Sequence, residues 1–248
     1  MERNYNVYLN GMEKGKVEKL FFAKYLKLGD YNVIIDFGCG SGDIIKFCKE
    51  NSGLSECYGV DKDPFMRNVA SDNCKGLDIN FVESLDKISV DNPNAEVLII
   101  FSSVLHEVGN YWNTIRKFIN NYIGRITVVV RDMWFWDKND GEIKKSDLAK
   151  IIKNSNPQRL SEFVEKYGLT TQKQMYHYLL KYSYVDNWEL ELEEDYFSFD
   201  WTNLNHGIKF YDGTYLLEYK KERVKQDFNI DLEFSTHRQL IVKILEAV

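Results

Sequence analysis

The first 132 residues alternate between short apolar runs and segments whose apolar side chains recur at helical spacing. After the first run, Ile44, Ile45 and Phe47 recur at intervals that predict a helix. An amphipathic helix is also predicted over residues 12–26. The apolar runs predict strands at residues 31–36, 56–61, 79–83, 95–103 and 125–132. Strands and helices that alternate in this way are typical of a parallel sheet covered by helices on both faces.

The alternation stops after residue 132. Residues 137–210 contain helical patterns, many aromatic side chains and several acidic ones, so we predict a helical insertion there. Residues 215–228 predict another helix, and residues 229–234 and 237–245 predict two closing strands. The expected fold class is therefore α/β, with a doubly wound, Rossmann-like, seven-stranded and mostly parallel sheet and a helical insertion after strand five.

Three segments follow from this pattern. Residues 1–136 are expected to form the core of the sheet with its N-terminal helix. Residues 137–210 are expected to form the helical, aromatic-rich insertion, which would serve as a lid or substrate element near the strand ends. Residues 211–248 are expected to return to the core as its last helix and closing strand hairpin.

Composition and charge narrow the functional classes. The 248-residue chain carries a formal net charge of -6, which argues against a broad nucleic-acid-binding surface. The basic residues at 220–225 are interrupted by an acid and an apolar residue, so we interpret them as a solvated helix face. No apolar run is long enough to cross a bilayer, and the four cysteines lack metal-ligand spacing. We expect a cytoplasmic protein with reduced thiols, no metal site and no membrane partner.

The stretch VIIDFGCGSGD, residues 33–43, joins a predicted strand to three glycines at alternate positions. A dinucleotide-binding turn needs its third glycine at the position of Asp43, and a phosphate-binding loop needs a lysine that this stretch lacks. A tight turn without a ligand is a second interpretation. Asp36 and Asp43 would repel an anion, so the stretch favours a zwitterionic or cationic ligand.

This stretch and the segment YGVD, which ends at Asp61, together resemble the first two motifs of class I S-adenosylmethionine-dependent methyltransferases. Asp61 follows Gly42 by 19 positions, close to the spacing of an acid that binds ribose hydroxyls. The resemblance implies S-adenosylmethionine as the cofactor, bound by residues 1–136. The family's Asp at the adenine position is replaced here by Glu83 and Ser84. The cofactor-binding residues implied are Asp36, Gly38, Cys39, Gly40, Asp61, Lys62, Glu83, Ser84 and Ser102.

The segment FSSVLHEVGNYW places His106 directly after the fourth predicted strand. It resembles a segment of small-molecule methyltransferases whose histidine is the general base in some relatives and shapes the pocket in others. Histidine suits a base near neutral pH, and a structural role at the start of a helix is the alternative. Asp132, at the end of the fifth strand, is the second catalytic candidate, because a carboxylate there could orient an acceptor.

We therefore expect an S-adenosylmethionine-dependent methyltransferase that acts on a small-molecule acceptor. One alternative is methyl transfer to RNA or protein, guided by a basic edge around Lys220. A second is a non-catalytic cofactor-binding protein with the same fold. Aromatic side chains of the insertion, among them Trp188 and those of residues 196–201, would form either a core or an acceptor pocket.

Overall fold

The structure of the protein is a computed structural model. It describes residues 16–92, 94–108, 113, 116, 118, 125–134, 141–182, 187–193 and 207–244. The aromatic segment 196–201 and residues 12–15 of the predicted N-terminal helix lie outside these described ranges.

Seven strands form a single sheet. Their bounds are β1 Val33–Phe37, β2 Glu56–Val60, β3 Asn80–Val82, β4 Glu96–Ser102, β5 Arg125–Met133, β6 Ile208–Tyr215 and β7 His237–Ile244. Their order across the sheet is β3-β2-β1-β4-β5-β7-β6. β1 pairs in parallel with both β2 and β4, β2 with β3, and β4 with β5. The predicted doubly wound, seven-stranded α/β sheet is confirmed, and its strand order reverses between β1 and β4, where such sheets bind ligands.

Helices connect the strands and fill the stretch between β5 and β6. Their bounds are α1 Lys16–Lys19, α2 Asp43–Ser52, α3 Pro64–Asn73, α4 Leu105–Val108, α5 Lys145–Asn154, α6 Pro157–Tyr167, α7 Gln172–Tyr182, α8 Trp188–Glu193 and α9 Glu218–Phe228, with 3₁₀ helices at Phe21–Lys24, Leu28–Asp30 and Leu85–Lys87. α3 begins at a proline, and Asp63 caps it by accepting the N–H of Phe65 at 2.9 Å. Within the described ranges, no helix combines the length and apolar character needed to cross a bilayer.

The central strands β1, β4 and β5 are buried on both faces, which explains why they appear in the sequence as continuous apolar runs rather than as alternating patterns. All five residues of β1 are buried. One face carries the cluster Val33, Ile35, Phe37, Val97, Ile99, Phe101, Val128 and Val130. The other carries Ile34, Leu98, Ile100, Val129 and Ile241, and Ile45 of α2 belongs to the same cluster.

The helices that follow β5 have an apolar core of their own. It contains Ile151, Phe163, Leu169, Met175, Tyr178, Leu179, Trp188, Val224, Phe228, Ile230 and Leu232. The described chain accordingly divides into two compact units, one within residues 15–132, 198–213 and 238–248, and the other within 1–14, 133–197 and 214–237. Residues 211–248 are predicted to belong with the sheet, whereas α9 packs with the insertion helices through Val224 and Phe228.

The prediction of a strand at residues 229–234 is wrong. Ile230 and Leu232 alternate as they would in a strand, but both are buried in the core of the helical unit. The strand next to β7 is β6, whose side chains are mostly exposed, so no apolar run marks it. The helix predicted over residues 215–228 begins only at Glu218, because β6 extends to Tyr215.

Candidate active site

A glycine turn follows β1 and is anchored to the end of β2. The N–H groups of Gly38 and Cys39 both donate to the carbonyl oxygen of Val60, at 2.7 and 3.0 Å. Gly38 and Gly40 have φ angles of 74° and 52°, in the left-handed region that side chains rarely adopt. The turn predicted from the sequence therefore stands at the switch in strand order, and its backbone is bare enough for a ligand to approach closely.

The close approach of Val104 to Gly38 gives a stability prediction. A Cβ at Gly38 would lie 2.5 Å from Val104 Cγ2, on a backbone with φ of 74°. We expect Gly38→Ala to lower the free energy of unfolding by about 1–3 kcal/mol, measured by urea denaturation. Gly29→Ala is the matched control, because nothing lies within 4 Å of the Cβ position there. Equal losses in both variants would contradict this description of the turn.

Asp61 lies directly after β2 and holds the glycine turn in place. Its Oδ2 accepts the N–H of Gly40 at 3.0 Å, and its Oδ1 accepts the N–H of Asp63 at 2.9 Å. The guanidinium of Arg67 donates to the Asp61 carbonyl oxygen at 2.6 Å. Each carboxylate oxygen has a second lone pair, so Asp61 can also accept hydrogen bonds from a ligand. The side chain is half-buried, which leaves it accessible.

Asp36 and Ser102 are buried polar side chains at the ends of β1 and β4. Asp36 is 1% exposed and Ser102 is 8% exposed. Asp36 is in register with Ile100, so Ser102, two residues further along β4, lies on the same face of the sheet as Asp36. Within the described part of the chain, neither carboxylate oxygen of Asp36 nor the hydroxyl of Ser102 has a hydrogen-bond partner. Such unpartnered groups are rare in folded proteins, so both are open to a ligand.

Burial raises the pKa of Asp36 from its ordinary value of 3.8 to about 7. The positive charge of Lys19 and the nearby backbone N–H of Ile45 lower this pKa, whereas the negative charges of Asp61 and Asp43 raise it; the Ile45 N–H does not reach hydrogen-bonding geometry. Asp36 therefore changes its charge near neutral pH, and a cation bound beside it would favour the ionised form.

His106 and Asp132 contact each other directly, with 2.6 Å between His106 Nδ1 and Asp132 Oδ1. Both side chains are buried. Asp132 Oδ2 accepts the N–H groups of Val104 and Leu105 at 3.1 and 2.7 Å, and lies 3.4 Å from the N–H of His106. One carboxylate thus holds the start of α4 and orients the imidazole. A proton on Nδ1 leaves Nε2 as the basic nitrogen of the neutral ring.

Three further residues lie near the ends of strands four and five, where the predicted topology places ligand contacts but the sequence gives these residues no role of their own. Glu107 Oε1 lies 3.8 Å from His106 Nε2. Ser103 has a φ of 59°, its N–H donates to the carbonyl oxygen of Arg131 at 2.7 Å, and its hydroxyl accepts a hydrogen bond from the buried Arg131 guanidinium.

The residues predicted to bind adenine lie next to Asp61. The N–H of Asp61 donates to the carbonyl oxygen of Val82 at 3.0 Å, so the chain leaves β3 alongside Asp61. Glu83 is exposed, and Ser84 precedes the 3₁₀ helix Leu85–Lys87 with a partly buried side chain. Both residues follow β3 at the edge of the sheet where its parallel strands end, and their role toward a cofactor stays a prediction.

Cys39 and Lys62 complete the predicted set. Cys39 is buried within the glycine turn, and burial raises the pKa of its thiol well above the ordinary value, so it is neutral. Lys62 is exposed next to Asp61. Neither side chain is given a binding role by the contacts of the described residues, so both assignments stay predictions.

The other described histidines are structural. Burial is the main cause that lowers the pKa of His177 to about 2, helped by the charges of Lys181 and Lys166. This imidazole is therefore neutral at physiological pH. His237 Nδ1 lies 2.8 Å from the hydroxyl of Thr236, and its ring stacks on Tyr215.

The basic run at 220–225 is engaged within the protein. Lys220 is 2% exposed, and its ammonium donates to the carbonyl oxygen of Leu180 at 3.4 Å. The other three basic side chains form ion pairs on the surface, Lys221 with Glu218, Arg223 with Asp227 and Lys225 with Asp231. Lys221, Arg223 and Lys225 fit the predicted solvated helix face, whereas Lys220 departs from it because its side chain is buried.

Comparison with known proteins finds similarity to solved structures at low identity. No protein-family model matches the chain, and no curated protein matches it. The plantazolicin methyltransferase BpumL, in complex with a monoazolic desmethylPZN analog and SAH, is 11% identical with a TM-score of 0.48 over 96% of this chain and 89% of its own. The methyltransferase domain of bacterial CtHen1-C is 13% identical with a TM-score of 0.46 over 94% and 100%. A SAM-dependent methyltransferase from Aquifex aeolicus is 15% identical with a TM-score of 0.41 over 62% and 87%. At these identities, the activity has to be argued from the residues of this chain.

Proposed function

We propose that the protein is an S-adenosylmethionine-dependent methyltransferase that acts on a small-molecule acceptor. The observation that carries the proposal is the pair Asp36 and Ser102, buried on one face at the switch in strand order and without described hydrogen-bond partners. A buried carboxylate is costly unless a partner compensates it. A ligand with an ammonium and a sulfonium group supplies positive charge there, whereas a phosphate would be repelled by Asp36 and Asp61.

The glycine turn and the three strand ends around it would hold the cofactor. Gly38 and Gly40 let the backbone approach the methionine and ribose parts, because no side chain stands in the way. Asp36 would face the ammonium group, and Asp61 would accept the ribose hydroxyls through lone pairs not used by Gly40 and Asp63. When bound, S-adenosylmethionine supplies an activated methyl group for in-line transfer.

His106 is proposed as the general base that takes the proton from the acceptor. Val104 packs on the glycine turn at Gly38, and His106 follows two residues later, so the base stands beside the proposed cofactor site. Asp132 is proposed as a positioning residue rather than as a group that contacts the acceptor, because both of its oxygens contact α4. It would hold the proton on Nδ1 and leave Nε2 for the acceptor.

The ribose assignment gives the first binding prediction. We expect Asp61→Ala to weaken the binding of S-adenosylhomocysteine by about 1–3 kcal/mol, because charged hydrogen bonds are lost. Calorimetric titration measures the change, and thermal denaturation shows whether the fold persists. Asp72→Asn, on the exposed face of α3, is the control for charge alone. If Asp61→Ala binds as tightly as the control, Asp61 does not bind the ribose.

The two alternative functions predict different results in one assay. Methyl-labelled S-adenosylmethionine is incubated with the protein and either a small-metabolite extract, RNA or unfractionated protein. Label in the small-molecule fraction supports the proposal, whereas label in RNA or protein supports the first alternative. Binding of the cofactor without any transfer supports the non-catalytic alternative. The internally paired basic residues at 220–225 argue against RNA, whose binding depends on free cations.

Two further expectations stay proposals. A cytoplasmic location is supported by the four cysteines, which are all free and buried. The helical insertion is proposed as the substrate element, although its described aromatic residues Tyr178 and Trp188 are buried in the core of the helical unit. The burial of these two rings favours a packing role for Tyr178 and Trp188 over a place in an acceptor pocket.

A further inference from the structure

We propose that the methyl acceptor is an amine, presented as an ammonium ion, and that Glu107 selects it. The inference rests on the proposed function, because it concerns the molecule that receives the methyl group.

The ring of His106 has a carboxylate near each of its nitrogens. Asp132 Oδ1 lies 2.6 Å from Nδ1, and Glu107 Oε1 lies 3.8 Å from Nε2. The two acids differ in exposure, since the side chain of Asp132 is 1% exposed and that of Glu107 is 26% exposed. Asp132 is also held by the backbone N–H groups at the start of α4. Glu107 is therefore the acid that an incoming acceptor can reach at the basic nitrogen.

The rest of this edge of the sheet is also acidic. Asp36 lies near the end of β1 and Asp61 follows β2, and the positive charge of Lys19 offsets that of Asp36 only in part, since the pKa of Asp36 stays above its ordinary value. Arg67 donates to the Asp61 carbonyl oxygen, and Arg131 donates to the hydroxyl of Ser103. An acceptor with a negative charge would meet these carboxylates, so the site favours a neutral or positively charged acceptor.

Glu107 also distinguishes nitrogen from oxygen as the accepting atom. A hydroxyl that gives up its proton gains negative charge on oxygen, and a carboxylate close by opposes that change. An ammonium ion that gives up its proton becomes neutral, and the same carboxylate attracts it beforehand. Two unit charges about 4 Å apart near a protein surface interact appreciably even though solvent partly screens them. Glu107 thus favours binding of an ammonium ion and disfavours formation of an alkoxide.

The proposed transfer moves one proton to His106 and one methyl group from sulfur to nitrogen. Nε2 of His106 takes one proton from the ammonium nitrogen, whose freed electron pair attacks the methyl carbon of the sulfonium cofactor. A carbon–nitrogen bond forms, the carbon–sulfur bond breaks, and its electron pair stays on sulfur, which becomes a neutral thioether. The nitrogen carries the positive charge of the product as a methylated ammonium. The imidazolium then releases its proton to water, and Glu107 stabilises the imidazolium until that happens.

The experiment follows methyl label from S-adenosylmethionine into a small-metabolite extract, after which the products are separated by cation exchange and the labelled atom is identified. Label on a basic nitrogen is the expected result. Label on oxygen or carbon, or in an anionic product, would overturn the inference. Cofactor binding without any labelled product would also overturn it. A protein that does not bind S-adenosylhomocysteine in calorimetry would instead refute the proposed function, so the two failures are distinguishable.

A charge-removing variant tests the role of Glu107 on the amine found. We expect Glu107→Gln to raise the KM for that amine by about tenfold, the effect of one partly screened charge, and to leave the affinity for S-adenosylhomocysteine unchanged. Glu165→Gln, on the exposed surface of α6, is the matched control and should leave KM unchanged. An unchanged KM in Glu107→Gln would remove Glu107 as the selecting residue. A fall in KM would show repulsion and would overturn the amine assignment.

Discussion

Asp36→Asn is expected to raise the free energy of unfolding of the ligand-free protein at pH 8 by up to about 4 kcal/mol. The carboxyl group is buried without a described hydrogen-bond partner, and burial raises its pKa from 3.8 to about 7. Above pH 7 the folded protein must hold a desolvated negative charge, and each pKa unit of difference corresponds to about 1.4 kcal/mol. Asparagine keeps the shape of the side chain and removes the charge.

The dependence on pH identifies the cause. Below about pH 4 the carboxyl group is protonated in both the folded and the unfolded chain, so it contributes no difference. Between about pH 4 and pH 7 the unfolded chain loses the proton and the folded protein keeps it, so stability falls as pH rises. Above about pH 7 the loss is complete and constant. Urea denaturation at pH 5 and pH 8 should therefore show a larger decrease for the native sequence than for Asp36→Asn.

A charge variant elsewhere separates this effect from the general loss of a negative charge. Asp30→Asn, at an exposed position before β1, should leave the pH dependence unchanged. If Asp36→Asn and Asp30→Asn show the same dependence as the native sequence, Asp36 is not the buried titrating group. The native carboxylate would then need no ligand to compensate it, and the main support for the proposed cofactor site would be lost.

The same substitution should weaken cofactor binding even though it stabilises the fold. A cationic ligand binds the ionised form of Asp36, and that form grows about tenfold between pH 6 and pH 8 for a pKa of about 7. The affinity for S-adenosylmethionine should rise accordingly in the native sequence and more weakly in Asp36→Asn. Comparing the two proteins cancels the titration of the ligand itself. A substitution that stabilises the fold but weakens ligand binding is typical of a functional site.

The sheet could be predicted because a strand that is buried on both faces needs a continuous run of apolar residues, which is visible in the sequence. Every strand from β1 to β5 appears as a short apolar run, and the glycines after β1 need backbone angles that few other residues adopt. β6 carries no such signal, since it lies at the edge of the sheet with exposed side chains. The alternation of Ile230 and Leu232 wrongly predicted a strand, because both side chains pack in the core of the helical unit.

The candidate site could be predicted only as a set of separate residues. The ends of β1, β2 and β4 were correctly expected to meet, which follows from the parallel topology. The contact between His106 and Asp132 joins residues 26 positions apart, and nothing in the sequence marks that pair or the hydrogen bonds to the start of α4. The unpartnered state of Asp36 depends on everything packed around it, and only the folded chain shows it.

The second large effect is expected at His106. If its imidazole is the general base, His106→Ala should lower turnover by about 10²–10⁴-fold, because the acceptor then gives its proton to water. The affinity for S-adenosylhomocysteine should stay nearly the same, since the ring is proposed to contact the acceptor and not the cofactor. Turnover is measured with methyl-labelled S-adenosylmethionine and affinity by calorimetry. Equal losses of turnover and affinity would indicate that His106 only shapes the site.

Two further measurements separate a base from a packing role, because His106 is buried and its removal leaves a cavity. Free imidazole should restore part of the turnover of His106→Ala if a proton acceptor is what the variant lacks, whereas a collapsed pocket would show no rescue. In Asp132→Asn the imidazole loses the carboxylate 2.6 Å from Nδ1, so the imidazolium is less favoured and the rise of turnover with pH should move to lower pH. Thermal denaturation must accompany this variant, because Asp132 also holds the N–H groups of Val104 and Leu105. Full turnover in His106→Ala, without added imidazole, would leave methyl transfer to alignment alone and would remove the basis for the Asp132 prediction.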